Sequence, residues 1–220
     1  MRHIDSAKYS LRDSLPHATN ALLRRIRQTT DTVRARLHAA WWGLQLGSGS
    51  MFFGMPIIRR HPTASIVVGK QCQLRSAEWS NTIGLNRRCV IAASRDAAIT
   101  IGDNCGFSGT VIAASSSIAI GNRVLCGGNC TIVDTDRHPI DPLARANNEP
   151  ADSKPIMIED DVFLSMNVVV LKGSSIGKGT VVAANSVVTS SLPAGVIAGG
   201  IPARVIRKLK RDELHSLEGY

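Results

Sequence analysis

The chain has 220 residues, 44% of them apolar but only 4% aromatic, and a formal net charge of +9. That length suits one domain with a terminal appendage, and so few rings argue against a core packed from large side chains. The basic surplus is local rather than general: residues 1–60 hold ten Lys or Arg against three Asp, and the remainder holds sixteen against fourteen.

Taken from the start, Arg2, Asp5, Lys8, Arg12 and Asp13 interrupt the chain too often for a secretory signal peptide. Residues 18–44 predict an amphipathic helix, because Leu22, Ile26, Val33, Leu37, Trp41 and Leu44 fall on one stripe. Its other face carries Arg24, Arg25, Arg27, Arg34 and Arg36. Ala39 to Ile58 is free of charge and long enough to span a bilayer, but its glycines, serines and Pro56 make a poor membrane helix. Two readings of this N-terminal segment stand. Either it caps the open end of the remaining domain, or it is an Arg-rich interfacial helix making peripheral contact with anionic lipid. Nucleic acid is not an expected partner, since no stacking aromatics are interleaved with the basic residues.

From Ile158 a different grammar rules. Every sixth residue is aliphatic: Ile158, Leu164, Val170, Ile176, Val182, Val188. A helix repeats at 3.6 and a strand at 2, so a period of six predicts a solenoid of short strands and corners. Farther back the pattern survives as corner dipeptides at Val68-Gly69, Ile83-Gly84, Ile101-Gly102 and Ile120-Gly121. Ile83 to Ile101 and Ile158 to Ile176 are both intervals of 18, hence one coil of three six-residue sides. About six coils stacked at roughly 4.8 Å would make a prism near 30 Å long. The five cysteines (72, 89, 105, 126 and 130) contain no CxxC pair and fall on small-residue or inward slots, as buried free thiols in a reducing compartment would.

Between Ile120 and Ile158 the interval is 38 rather than 36, and the pattern lapses over 134–155. Asp134-Thr135-Asp136-Arg137-His138-Pro139 opens a proline-rich polar run, read as a loop thrown out of the coil. It holds the one histidine between residues 62 and 214.

The stretches Ile-Gly-Asp-Asn-Cys-Gly-Phe-Ser-Gly-Thr-Val-Ile (101–112), Asp-Thr-Asp-Arg-His-Pro-Ile (134–140), Pro-Ile-Met-Ile-Glu-Asp-Asp-Val-Phe-Leu (155–164) and Gly-Gly-Ile-Pro-Ala-Arg-Val-Ile (199–206) resemble the hexapeptide-repeat acyltransferases. More narrowly, the chain is similar to bacterial sugar and polysaccharide O-acetyltransferases. The resemblance implies an all-β solenoid, a left-handed parallel β-helix over residues 61–206. Residues 1–60 would be a basic helix and connector, and 207–220 a short C-terminal helical tail. It also implies a cytoplasmic homotrimer, with acetyl-CoA as acyl donor between neighbouring prisms and a saccharide as acceptor. Should the N-terminal helix touch lipid, its place would be the inner face of the membrane.

Acyl transfer to a hydroxyl needs a base for the acceptor's proton, and His138 is the candidate. Asp134 and Asp136 either orient its ring or meet a sugar hydroxyl, or they cap the loop. Ser108 stands where relatives often place an acceptor-contacting Asn. On the donor side the resemblance carries over Phe163, Ser165, Met166 and Ala184 beside the pantetheine arm. Thr189, Arg204 and Arg207 would lie nearer the nucleotide phosphates, or Arg204 and Arg207 belong to a solvated basic tail. An N-acyltransferase of amino sugars and a non-catalytic binding solenoid are the alternatives. A zinc hydrase on the same scaffold would need three histidines, so no metal site is expected.

Overall fold

The computed structural model describes residues 11–210 together with Glu213. Helix α1 (Leu11–Trp41) leads into a three-sided solenoid of six complete coils. Side A stacks β1 (Gln45–Leu46), β4 (Ser65–Val68), β7 (Ala98–Ile101), β10 (Ser117–Ile120), β13 (Ile156–Ile158) and β16 (Ser175–Ile176). Side B stacks β2 (Met51–Phe53), β5 (Gln73–Arg75), β8 (Gly106–Ser108), β11 (Leu125–Gly128), β14 (Phe163–Leu164), β17 (Val181–Val182) and β19 (Val196–Gly200). Side C stacks β3 (Ile57–Arg60), β6 (Val90–Ala93), β9 (Val111–Ala114), β12 (Thr131–Val133), β15 (Val169–Leu171) and β18 (Val187–Val188). All of these pairings are parallel. The fold is the left-handed parallel β-helix.

Each side contributes one inward column at the six-residue anchors, and side A adds a second, Ile66, Ile99, Ile118 and Ile156. On side A, Leu46, Val68, Ile101, Ile120, Ile158 and Ile176 lie in register. Phe52, Leu74, Phe107, Cys126, Leu164 and Val182 do so on side B. Ile58, Ile91, Ile112, Ile132, Val170 and Val188 complete side C. The six-residue period is therefore the spacing from one side to the next. Burial of these columns is the main source of stability.

The corners have their own chemistry. In every coil the third residue of the turn from side A to side B is left-handed: Gly49, Gln71, Asn104, Arg123, Asp161 and Gly179. The corner glycines two residues earlier serve close approach instead. A Cβ on Gly69 would lie 2.6 Å from the carbonyl carbon of Gly102, and one on Gly102 would lie 2.7 Å from that of Gly121. At three successive rungs a side chain of the later coil accepts from the backbone of the earlier one, and at the last Glu159 accepts the Lys178 N–H at 2.7 Å. Asp103 takes the Lys70 N–H at 2.7 Å, Asn122 that of Asp103 at 2.9 Å, and Asp160 that of Asn122 at 2.7 Å. At the same corner the five-donor fork of Arg123 meets the Asp161 carboxylate at 2.5 and 2.9 Å.

All five cysteines are buried and unpaired. Four of them fill the tight angle between two sides and donate to a backbone carbonyl. Cys72 reaches Gly102 at 3.2 Å, Cys105 reaches Gly121 at 3.1 Å, and Cys130 reaches Ser165 at 3.1 Å. Cys89, held by Arg75 at 3.2 Å, has its thiol pushed up by burial.

Four expectations change. The solenoid begins at Gln45, not at residue 61, because the charge-free run Gln45–Ile58 is itself the first coil. Ile83 is no corner anchor: it is 64% exposed in an insertion (76–89) between β5 and β6, so its 18-residue distance from Ile101 is a coincidence. The 38 residues from Ile120 to Ile158 are one coil plus a loop, since β10 pairs directly with β13. Finally, the apolar stripe of α1 does not pack on the solenoid. Ile26, Val33, Leu37 and Trp41 are exposed, and only Leu44, beyond the helix, is buried.

What docks instead is the polar, small-residue face of α1. Ala35 and Ala39 are buried, and Thr32 accepts the Phe52 N–H at 3.0 Å while donating to its carbonyl. Asp31 accepts the Gly54 N–H at 2.7 Å, and Arg36 donates to Ser50 O. These are the ladder groups that edge strand β2 would otherwise leave unmatched. At the other end β20 (Ala203–Lys208) folds back antiparallel on β19. The predicted C-terminal helix falls mostly outside the described residues; 207 and 208 belong to β20.

Ile132 is fully buried at the centre of its column. Ile132→Ala should cost about 2–5 kcal/mol, measured by urea denaturation, with an unchanged oligomeric state.

Candidate active site

The loop 134–155 leaves the end of β12 and returns into β13, so it springs from the edge between sides C and A. Its feet are tied. Asp134 is fully buried, and its two carboxylate oxygens accept the Ser115 and Ser116 N–H groups at 2.7 and 2.8 Å. Thr135 and Ser153 bridge in antiparallel fashion. Lys172, from the next coil, holds both Asp136 at 2.6 Å and Asp152 at 2.5 Å. Those hydrogen bonds push the lysine's pKa up and draw that of Asp152 below the usual carboxylate range. Farther out, α2 (Pro142–Ala146) is capped by Asp141, which accepts the Ala144 N–H at 2.7 Å. Arg145 donates back to Pro139 O and Ile140 O, closing the loop on itself.

His138 stands exposed at the bend of this anchored loop. Neither nearby carboxylate is directed to it: Asp134 caps the neighbouring corner, and Asp136 pairs with Lys172. The expectation that Asp134 meets a sugar hydroxyl gives way to its capping alternative, because both its oxygens are committed to backbone in the interior. Asp136 is exposed beside its lysine.

Of the residues expected beside the donor, Phe163, Ser165, Met166 and Ala184 lie on side B and its edge with side C. Phe163 sits on the outer surface of side B, 37% exposed, between Leu125 and Val181. Ser165 and Met166 form the corner from side B to side C, and Ala183 and Ala184 form the same corner one coil on. The corner is stitched by Asn185 N–H to Met166 O at 3.0 Å and by Asn167 Nδ2 to Asn185 Oδ1 at 3.0 Å. Toward the N-terminus the column continues as Gly127 and Gly128. A Cβ on Gly127 would lie 2.8 Å from the Met166 nitrogen. Glycine, serine and alanine leave the backbone of this edge close to the surface, which suits an extended ligand bearing amides.

Ser108 ends β8 and belongs to this B–C edge, two coils before Met166, and it is 8% exposed. It also borders a groove of about 230 Å³ on side B, lined by Gln71, Gln73, Arg75, Asn104 and Arg123. There Arg75 lies 4.3 Å over the Phe53 ring and donates to Gln73 Oε1. Thr189, by contrast, follows β18 on the C–A edge and is exposed. Arg204 lies exposed on β20. Arg207 is engaged: its guanidinium grips Glu213 at 2.7 Å through both nitrogens and holds that carboxyl down at about 2. One chain thus separates His138 and Thr189 from Ser108, Met166 and Ala184 by a whole side of the prism.

Sequence reasoning missed the 76–89 insertion. Arg87 clamps it to the B–C edge by donating to Gly109 O at 3.1 Å, Asn129 O, Cys130 O at 3.2 Å and Thr131 Oγ1 at 2.8 Å. Asn129 accepts the Asn86 N–H and donates to Gly84 O. Ile83 therefore stands beside Gly128, one coil before Met166. A signal existed in the 33 residues separating Val68 from Ile101, too many for one coil.

The bacterial transferase hexapeptide family (six repeats) matches residues 155–190. Residues 155–190 thus carry hexapeptide repeats of that kind. Among curated relatives, galactoside O-acetyltransferase of Lactococcus lactis is 38% identical over 103 residues, 47% of this chain and 49% of that protein. A 2,3,4,5-tetrahydropyridine-2,6-dicarboxylate N-acetyltransferase of Clostridium perfringens is 51% identical over 61 residues, 28% and 26% of the two chains. The chain thus spans about half the length, or less, of these curated relatives. A hexapeptide-repeat acetyltransferase structure from Vibrio cholerae covers 92% of this chain and 95% of its own, with 29% identity and a TM-score of 0.53. An N-acyltransferase from Bacillus cereus, in complex with dTDP-4-amino-4,6-dideoxyglucose and coenzyme A, shares the fold. Its TM-score is 0.63 at 17% identity, covering 83% of this chain and 92% of its own. Among the described residues no cluster of three metal-ligating side chains forms.

Lys172→Met should free the feet of the His138 loop and raise its rate of cleavage in limited proteolysis several-fold. The same pairing predicts a pH effect. Because the pKa of Asp152 is depressed in the folded chain, its contribution is complete above the ordinary carboxylate range and is lost as pH falls through the depressed value. Wild-type loop cleavage should therefore rise toward strongly acidic pH, while that of Lys172→Met stays flat.

Proposed function

We propose that this chain is an acetyl-CoA-dependent O-acetyltransferase that moves an acetyl group to a sugar hydroxyl, working as a homotrimer with its site between subunits. The observation that carries the reading is the division of the candidate residues between two edges. His138 is presented on a stiffened loop at one edge, and the small-residue corner of Met166 and Ala184 lies at another. Two edges of one prism do not form a cleft, but unlike edges of adjacent prisms do, and threefold closure supplies three such clefts.

In this reading His138 accepts the hydroxyl proton as the acceptor oxygen attacks the thioester carbonyl carbon. The C–S bond then breaks, and the imidazolium returns the proton to the departing CoA sulfur. Phe163, Ser165, Met166 and Ala184 line the donor's pantetheine arm. Arg204 and Arg207 lie toward its phosphates, where Glu213 would have to yield Arg207, and Thr189 approaches from the neighbouring edge. Ser108 and Asp136 face the acceptor. Acetyl-CoA is a substrate here, and no metal takes part in the scheme.

The relatives supply support on both sides of one question. The galactoside enzyme of L. lactis favours a hydroxyl acceptor, whereas the B. cereus and C. perfringens proteins are N-acyltransferases. The same imidazole could deprotonate an ammonium, so an amino-sugar acceptor is the second reading.

Release of CoA should therefore be followed with acetyl-CoA and matched hydroxyl and amino sugars. Turnover only with an amino sugar would replace the first reading by the second. His138→Ala should lower kcat by roughly 10²–10⁴-fold with little change in KM for acetyl-CoA. Unchanged turnover would remove His138 from the chemistry.

A further inference from the structure

The helix α1 turns the wrong way for an ordinary packed element. Its polar and small residues (Asp31, Thr32, Ala35, Arg36 and Ala39) face the first coil. On the opposite side Leu15, Leu22, Ile26, Val33, Leu37 and Trp41 form a continuous stripe, every member exposed, with Trp41 at 86%. At 1.5 Å per residue the stripe runs for roughly 40 Å. It is a long apolar surface held rigidly at one end of the solenoid, and large exposed apolar patches mark interaction sites.

The charges beside the stripe select the occupant. Arg25 flanks it on one side and Arg34 on the other, both exposed, and Arg12 is exposed near its N-terminal end. The carboxylate of Asp31 is turned away from the stripe, onto the Gly54 N–H. Two copies meeting stripe to stripe would bring arginines against arginines. An anionic lipid surface would accept both parts at once, the aliphatic stripe below the headgroups and the guanidinium groups among them. No described helix is long and apolar enough to cross a membrane, so the contact would lie in the plane of the surface.

We infer that α1 is a membrane-surface anchor for anionic bilayers, docked to the solenoid through its polar face so that its apolar stripe faces lipid. Trp41, at the last position of the helix, would sit at the interfacial depth that tryptophan favours. The solenoid would then stand on the membrane by its first-coil end, with the His138 loop and the later coils farther from the surface. The inference rests on the orientation of α1 and does not depend on the acetyltransferase reading.

Co-sedimentation of the full chain with vesicles tests it. One set would be phosphatidylcholine alone and the other phosphatidylcholine mixed with phosphatidylglycerol. Binding is expected to the anionic vesicles, weakening as salt is raised. The double variant Ile26→Asn/Leu37→Asn should bind about tenfold more weakly, and so should Arg25→Gln/Arg34→Gln at low salt. All four side chains are exposed and none hydrogen-bonds the solenoid, although Arg25 borders a surface pocket with Phe53, so circular dichroism and turnover on a soluble acceptor should match wild type. Equal sedimentation with both vesicle types, or none with either, would overturn the inference. So would a smaller oligomer in Ile26→Asn/Leu37→Asn, which would mean that a second copy covers the stripe.

Discussion

Coil lies on coil at the spacing of parallel β-pairing, and no other interaction in this molecule operates free of that constraint. With neighbouring backbones so close, the corners take small residues and the sides send aliphatics inward, two per coil on side A in Ile66 and Val68, Ile99 and Ile101, Ile118 and Ile120, and Ile156 and Ile158. Gly69, Gly102 and Gly121 lack a Cβ because the next coil's backbone occupies its place. Thiols at Cys72, Cys105 and Cys130 are tolerated because a carbonyl of the following coil lies within reach. The stack leaves over edges, insertions and ends, and the proposed site draws on these.

The repeat was readable because side-to-side spacing survives as a chemical period wherever the coil is uninterrupted. Ile158 to Val188 gives all three columns directly, and each of its six anchors is buried. Insertions defeated the same arithmetic. Ile83-Gly84 imitates a corner dipeptide, yet it lies on a loop whose clamp, Arg87, bonds residues more than twenty positions away. The first coil was hidden for a different reason: the absence of charge in Gln45–Ile58 fits a connector as well as a strand.

Of the candidate site, the residue types were legible and the edges were not. His138 could be singled out by its chemistry and its place in an interruption. That Asp134 is spent on Ser115 and Ser116, and Asp136 on Lys172, depends on which corners the stack brings into contact. The α1 stripe teaches a related lesson. Amphipathic spacing identifies a helix but does not say which face packs. An edge strand with unmatched backbone groups recruits hydrogen-bonding side chains such as Thr32 and Asp31 in preference to leucines.

The corner ladder has a direction. Over three rungs Lys70 donates to Asp103, Asp103 to Asn122, and Asn122 to Asp160, the acceptor coming later in the chain than the donor, and the last rung reverses, with the Lys178 N–H on Glu159. A coil in the middle of the stack therefore has its corner matched from both neighbours, and a coil at either end lacks one of them. The chain supplies the missing neighbour on side B at both ends, with α1 over β2 and β20 turned back on β19.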